Sequence, residues 1–308
     1  MDRNTLGLVF HPTRDVSAVA GTIVAWAGRH GLDVYVRHED RHRAPPGVIP
    51  VSAAELASAA DALVSIGGDG TMLGALRLTV DDPKPVLGVR LGRLGFLVEV
   101  EPTELPAALD RISSRDFTLE PHSCLRGRVG DADVVAFNDI ALARQPGAGS
   151  VNAVLAIDGQ RYGHYRCDTL IVSTPTGSTA YSYAAGGPLV SPAAQAMVVT
   201  PSAPMAGISR SVVLAPDELI RLDLRADTGP VAVEVDGQPI RELTGGDVAE
   251  LCLRRRAGLV VRLDPRRYRQ RSQLKLSLLD LPLLPEQLRE LLPDSLRVEF
   301  ERRQRIAR

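Results

Sequence analysis

Lysine is almost missing from this sequence. Lys84 and Lys275 are the only two among 308 residues. No Gly-x-x-x-x-Gly-Lys-Ser/Thr run occurs, which excludes a P-loop. Any grip on phosphate must then come from backbone amides, arginine or a metal. Cysteine is scarce as well. Cys124, Cys167 and Cys252 lie far apart, with no pair at metal or redox spacing, and suit small buried apolar residues in a reducing compartment. A net charge of −1 lacks the basic excess of a general nucleic-acid or membrane-surface binder. No apolar run approaches the length that crosses a bilayer. The apolar stretch Leu6 to Phe10 is closed by His11-Pro12, too soon for a signal peptide. The expectation is a cytoplasmic protein with neither nucleic acid nor membrane as partner.

What is present is ordinary for a globular chain: 44% apolar and 24% charged residues, in a length sufficient for two domains with real cores. The first third alternates. Strands are predicted at Leu6–Phe10, Val34–Val36, Leu63–Ile66 and Pro85–Val89. Helices are predicted at Val16–Ala27, Ala54–Ala62 and Pro102–Ile112, with Arg41–Pro50 as a polar loop. This order indicates an open, mostly parallel α/β sheet over residues 1–116. After about residue 117 the pattern changes to alternation with period two. Val151–Ile157 runs into Asp158-Gly159 and Val231–Val235 into Asp236-Gly237, both strong hairpin signals. Further strands are expected at Leu219–Arg225 and Leu259–Leu263. Residues 117–272 therefore read as a second, all-β domain. A tail, 273–308, holds a possible amphipathic helix from Glu286 to Leu292, and is expected to pack on the α/β domain or on a sister subunit.

Three stretches carry candidate chemistry. In Gly67-Gly68-Asp69-Gly70-Thr71, glycines join a buried strand to a helix start, where free N–H groups attract phosphate. A plain tight turn would use the same glycines. Asp69 does not fit a passive cradle, because a carboxylate repels phosphate unless it takes a proton or meets a metal. The second stretch is Val134–Leu142, read as an apolar strand that Asn138-Asp139 interrupts; such a pair suits sugar hydroxyls or a locally satisfied bulge. The third is Ser173-Thr-Pro-Thr-Gly-Ser-Thr179, five hydroxyl residues in seven before a short helix from Tyr181 to Ala185. Capping accounts for Ser178 alone. A polar ligand accounts for the rest, with Tyr181 available to stack on a base.

Together with Gly92-Arg93-Leu94-Gly95-Phe96-Leu97 and Gly186-Gly187-Pro188, these stretches resemble the NAD kinase family in order and spacing, over roughly residues 5–275. The Thr-Pro-Thr-Gly-Ser-Thr-Ala-Tyr block is the specific part; Gly-Gly-Asp-Gly-Thr resembles the loops of lipid and sugar-phosphate kinases too. The resemblance implies an N-terminal open Rossmann-like α/β sheet joined to a C-terminal β-sandwich. It implies transfer of a phosphoryl group from ATP, with Mg²⁺ or another divalent cation, to the 2′-hydroxyl of the adenosine ribose of NAD. Polyphosphate is the donor in some members. It also implies a homodimer or homotetramer whose NAD sites are shared between subunits. Position by position, Asp69 becomes the base, and Gly67, Gly68, Gly70 and Thr71 the donor-phosphate and metal region, with no dedicated protein ligands for the metal. Asn138, Asp139, Asp168, Ser173, Thr176, Thr179, Ala180 and Tyr181 become the NAD-binding set.

The chain departs from the family pattern at Met205 (where a histidine is usual), Ala184, Thr169 and Arg90. These departures leave open a kinase of the same fold with another nucleotide acceptor, or a binder of NAD(P) without catalysis. The six histidines, His11, His30, His38, His42, His122 and His164, show no metal spacing and read as surface or packing residues. Arg254-Arg255-Arg256 reads as a solvated strand end.

Overall fold

A computed structural model of the chain describes residues 5–92 and 95–266. The tail and its expected helix lie outside the described residues. The first third builds β1 (Thr5–Phe10), α1 (Ser17–His30), β2 (Asp33–Arg37), β3 (Ile49–Val51), α2 (Ala53–Ala59), β4 (Ala62–Gly67), α3 (Asp69–Leu78), β5 (Pro85–Arg90) and α4 (Leu105–Ser113). The five strands are parallel in the order β3-β2-β1-β4-β5. The apolar faces of α1 and α4 bury Ile23, Trp26, Leu105 and Leu109 against Leu8, Val36 and Leu87 of the sheet. Two expectations shift here. The helix predicted to reach Ala62 stops at Ala59, because Ala62 already pairs with Leu6 in β4. The loop expected over Arg41–Pro50 contains a 3-10 turn, His38–Arg43, and ends inside β3. Pro50 is tolerated there because β3 is the edge strand and pairs only with β2.

The remainder builds β6 (Thr118–Val129), β7 (Ala132–Ala136), β8 (Asp139–Arg144), β9 (Val151–Ile157), β10 (Gln160–Cys167), β11 (Thr169–Ser173), α5 (Tyr181–Ala184), β12 (Met197–Ser202), β13 (Ala206–Gly207), β14 (Val212–Leu214), β15 (Ile220–Leu224), β16 (Val231–Val235), β17 (Gln238–Leu243) and β18 (Val248–Arg262). One sheet runs β14-β12-β11-β8-β16-β17. It packs face to face on β6, β9, β15 and β18, with Leu142, Leu170, Val172 and Val233 meeting Leu125, Leu155, Leu222 and Leu251. Both Asp-Gly hairpins form where expected, with positive φ at Asp158, Gly159, Asp236 and Gly237.

The 15 residues of β18 join the two regions. It pairs antiparallel with β15 and β6, then parallel with β5 at Leu259 and Val260. The second face of the sandwich and the α/β sheet are thus one continuous sheet. Arg254–Arg256 is not a strand end. It lies at a register shift inside β18, with Arg256 at φ 52°, and Arg254 and Arg255 pair with Asp81 and Asp217. Val134–Leu142 is not one interrupted strand either. Its halves belong to β7 and β8, in different sheets, and Phe137-Asn138 is the corner between them. Cys124 and Cys167 are buried and Cys252 half-buried; all three are free thiols. No described helix is long and apolar enough to cross a membrane.

Candidate active site

The glycine loop leaves β4 at the carboxyl edge of the parallel strands, where open α/β sheets bind ligands. Gly68 is the N-cap of α3 and offers no side-chain cap, so the first-turn amides of this helix are left to solvent or a ligand. A Cβ added at Gly68 or Gly70 would meet nothing within 4 Å. Open space in front of free amides is what an anion needs to come close. Asp69 is half-buried, not sealed in the interior. Its carboxylate accepts the N–H of Phe96 at 2.7 Å and of Leu97 at 3.0 Å. Gly95 permits this grip, since a Cβ there would lie 2.1 Å from Oδ1 of Asp69.

On the sandwich side, the Phe137–Asp139 corner is tied to the turn of the β16–β17 hairpin. The Asp236 carboxylate accepts the N–H groups of Phe137, Asn138 and Asp139 at 3.2, 2.7 and 3.3 Å. The hydroxyl-rich loop packs on the same corner. Thr174 donates to the Phe137 carbonyl at 2.6 Å and accepts from Gly177 at 3.0 Å, and a Cβ at Gly177 would lie 1.9 Å from the Asn138 carbonyl. Asn138, Asp139, Ser173, Thr176 and Tyr181 are therefore one cluster. Asp139 stands opposite Ser173 in the ladder and is buried. Burial, then the neighbouring Asp236, push its carboxyl up to about 7, against a lowering hydrogen bond from the Tyr181 N–H. The Ser173 hydroxyl is buried with no partner among the described residues. Tyr181 is 37% exposed, and its hydroxyl lies 3.4 Å from that of Thr169.

Some of the hydroxyl density has an internal purpose. Ser178 donates to the Pro175 carbonyl at 2.7 Å and accepts from Val190 at 3.0 Å, and Thr179 donates to the Thr176 carbonyl at 3.1 Å. Ala180 forms the junction between this 3-10 turn and α5. Asp168 is set apart from Ser173, next to the Thr169 that faces the Tyr181 hydroxyl. It lies beyond the opposite end of β11, five residues from Ser173 or about 16 Å at strand spacing, and pairs with Arg144 at 2.6 Å. Met205 is 57% exposed and stays at that end too, its N–H on the Arg166 carbonyl.

A cavity of about 920 Å³ opens between the two halves, lined by Gly68, Gly70 and Thr71 on one side and Asp236 and Gln238 on the other. Arg77, on the last turn of α3, crosses the gap and pairs with Asp236, whose side chain is 1% exposed. The outer wall is densely charged, with Arg37 and Arg43 beside Glu39 and Asp40. Arg37 and Arg43 are both anchored on the buried Asp40, at 2.7 and 3.7 Å, and Arg43 also sits over the Phe10 ring. Nδ1 of His11 accepts the N–H groups of Thr13 and Arg14, which leaves the proton of the neutral ring on Nε2. Burial, then Arg14 and Arg43, hold its pKa below the ordinary value. Sequence reasoning missed this wall, as well as Arg77 and Asp236. The available signal was the charge-dense run Arg37–Arg43 directly after β2, at the same sheet edge as Gly67. Among the described residues, no three His, Cys, Asp or Glu side chains converge to hold a metal ion.

Comparison with known proteins agrees with this arrangement of two halves. Residues 6–117 match the family model of the ATP-NAD kinase N-terminal domain, and residues 137–263 that of the C-terminal domain. The chain belongs to the NAD kinase family. Among family members, NAD kinase 1 of Streptomyces avermitilis is 35% identical over 90% of this chain and 88% of its own length. The NAD kinase of Moorella thermoacetica is 40% identical over 69% of this chain and 70% of its own length. Two solved structures from the family share the fold. Yeast NADH kinase complexed with NADH has a TM-score of 0.79 at 24% identity, covering 92% of this chain and 90% of that one. The NAD kinase of Archaeoglobus fulgidus in complex with ATP has a TM-score of 0.67 at 23% identity, covering 90% and 98%.

Proposed function

We propose that this chain is an ATP-dependent NAD kinase, transferring the γ-phosphoryl group of ATP to the 2′-hydroxyl of the adenosine ribose of NAD. One observation carries the assignment of parts. A half-exposed carboxylate stands at a helix N-terminus in a glycine loop whose Gly68, Gly70 and Thr71 line the cavity, and the opposite wall includes Asp236, which holds the Asn138-Asp139 corner. The α3 amides with Gly68, Gly70 and Thr71 receive the donor phosphates, Arg37 and Arg43 neutralise them from the outer wall, and His11 offers its Nε2–H as a neutral donor. Asn138 and Asp139 take the ribose hydroxyls. A carboxyl near half-protonation at neutral pH offers both a donor and an acceptor for that purpose. Tyr181 offers its exposed ring to a base, beside the hydroxyl loop.

Asp69 is the base. Each of its oxygens accepts one backbone N–H and keeps a lone pair for the hydroxyl proton. Phosphoryl transfer has a loose transition state, so positioning and charge neutralisation dominate and the proton moves late. Mg²⁺ fits this site as a companion of the ATP phosphates near Asp69 and Thr71, since it is usually held by one or two carboxylates plus substrate phosphates. Bound so, it would neutralise charge on the group in transfer. In this reading the chain forms a homo-oligomer in the cytoplasm, in which Asp168, at the far end of β11 from Ser173, serves a sister subunit's NAD.

The test is direct. Incubated with Mg²⁺, ATP and NAD, the wild type yields NADP, read with an NADP-specific dehydrogenase, and Asp69→Asn binds NAD but yields almost none. A well-folded wild type that makes no NADP removes the proposal; an active Asp69→Asn removes the base.

A further inference from the structure

Behind the site lies a row of polar and charged side chains, two of them buried, that the reaction as described does not use. Arg262, the last residue of β18, is 2% exposed, and His122 on β6 is 4% exposed. Arg262 donates from Nη1 to the Leu97 carbonyl at 2.7 Å and from Nε to Glu120 Oε2 at 2.7 Å. The other oxygen of Glu120 lies 2.9 Å from His122 Nε2, and His122 Nδ1 lies 3.1 Å from the Thr176 hydroxyl. Leu97 in turn donates its N–H to Asp69. Burial pushes the Glu120 carboxyl up, but hydrogen bonds from His122 and Arg262 outweigh it and draw the group down to about 2.

Stability is a poor reason for this row. Buried ion pairs cost several kcal/mol per ion in lost hydration, and well-packed apolar residues of like volume often do as well or better. The two ends of the row are informative. One end is the carbonyl of the residue that grips the Asp69 carboxylate; the other is a hydroxyl of the loop that folds over the Asn138 corner. Arg262 and His122 come from β18 and β6, adjacent antiparallel strands that run from the sandwich to the α/β sheet. The row is therefore anchored on the one sheet shared by both halves.

We propose that Arg262, Glu120 and His122 are positioning residues that set the register between the Asp69 loop and the hydroxyl loop. Arg262 places Leu97 and through it Asp69; His122 places the Thr176 hydroxyl; Glu120 ties the two together. This inference rests on the kinase reading above. It assigns separable consequences to the two ends.

The experiment compares His122→Leu, His122→Asn, Arg262→Met and Thr176→Val with the wild type, in the full-length protein. Readouts are NAD affinity by equilibrium titration without ATP, kcat, and Tm. His122→Leu is expected to weaken NAD binding about five- to tenfold, the scale of one lost hydrogen bond, with the KM for ATP unchanged. His122→Asn, whose amide can stand in for Nδ1, restores most of it. Arg262→Met lowers kcat about tenfold or more and leaves NAD affinity near the wild-type value. In a Thr176→Val background, His122→Leu adds nothing further. The relay is overturned if folded variants keep wild-type affinity and kcat, or if both parameters fall together in proportion to Tm and His122→Asn fails to restore binding. A wild type that forms no NADP overturns the kinase reading instead, and the relay with it.

Discussion

Each half of the molecule carries one candidate carboxylate, and the two are housed in opposite ways. Asp69 stands at the start of α3, half-exposed, and accepts two backbone N–H groups from the segment after β5. Asp139 begins β8, 3% exposed, with a second carboxylate nearby and a carboxyl pushed up to about 7 by burial and then by Asp236. The same side chain is fitted for two tasks by its surroundings. In the roles proposed above, the first is held in the open to receive a proton, and the second is withdrawn from water, where it would share a proton with a sugar hydroxyl.

The most severe way to test that contrast is Asp69→Asn. A loss of about 10²- to 10⁴-fold in kcat is expected, the range for a removed general base, with NAD affinity retained. An equal loss in Asp139→Asn would reverse the roles given to the two acids. Gly95→Ala comes next. The added methyl collides with the Asp69 carboxylate, and kcat should fall by about one to two orders of magnitude while Tm changes little. A smaller fall than in Arg262→Met would show that the carboxylate does not need its present orientation.

Arg77→Met probes the strut between the halves. It leaves the Asp236 carboxylate buried with backbone N–H partners only, and about 2–3 kcal/mol of stability should be lost in urea unfolding. The subtlest test is the pH dependence of stability. The folded-state pKa of Asp139 lies above its ordinary value of 3.8. The folded protein therefore binds the proton more tightly than the unfolded chain, and this contribution is fully present below about pH 4 and is lost as pH rises through about 7. Asp139→Asn should flatten that part of the stability profile; an unchanged slope between pH 4 and 7 would mean that another group carries it.

Legibility followed the range of the interactions. The Gly67–Thr71 junction, both Asp-Gly hairpins and the alternation of strand and helix that makes the first sheet parallel follow from local rules, the spacing of apolar residues and the turn preferences of glycine and aspartate. Asp236 shows where those rules stop. As a residue it is indistinguishable from Asp158, since both open an Asp-Gly-Gln turn. Asp158 accepts the N–H of Leu219 at the surface, whereas Asp236 receives three amides of the Phe137 corner and the Arg77 guanidinium. Those partners lie about a hundred residues or more away in the chain, and no periodicity encodes them. His122 is the same case. Read alone it is a surface or packing histidine, and only the meeting of β6, β18 and the hydroxyl loop sets a Glu120 oxygen 2.9 Å from Nε2 and the Thr176 hydroxyl 3.1 Å from Nδ1.

From its order of residues alone, the chain specifies a glycine loop at a strand–helix junction, a carboxylate within it, and a change from helical to alternating texture; each depends on neighbours within a few positions. That the two textures share one sheet through β18, that the hydroxyl loop braces the Asn138 corner, and that Asp69 and Asp139 have unlike environments were decided only on folding. Burial and long-range pairing belong to the packed structure, because desolvation and hydrogen-bond partners exist only once distant segments have excluded water together.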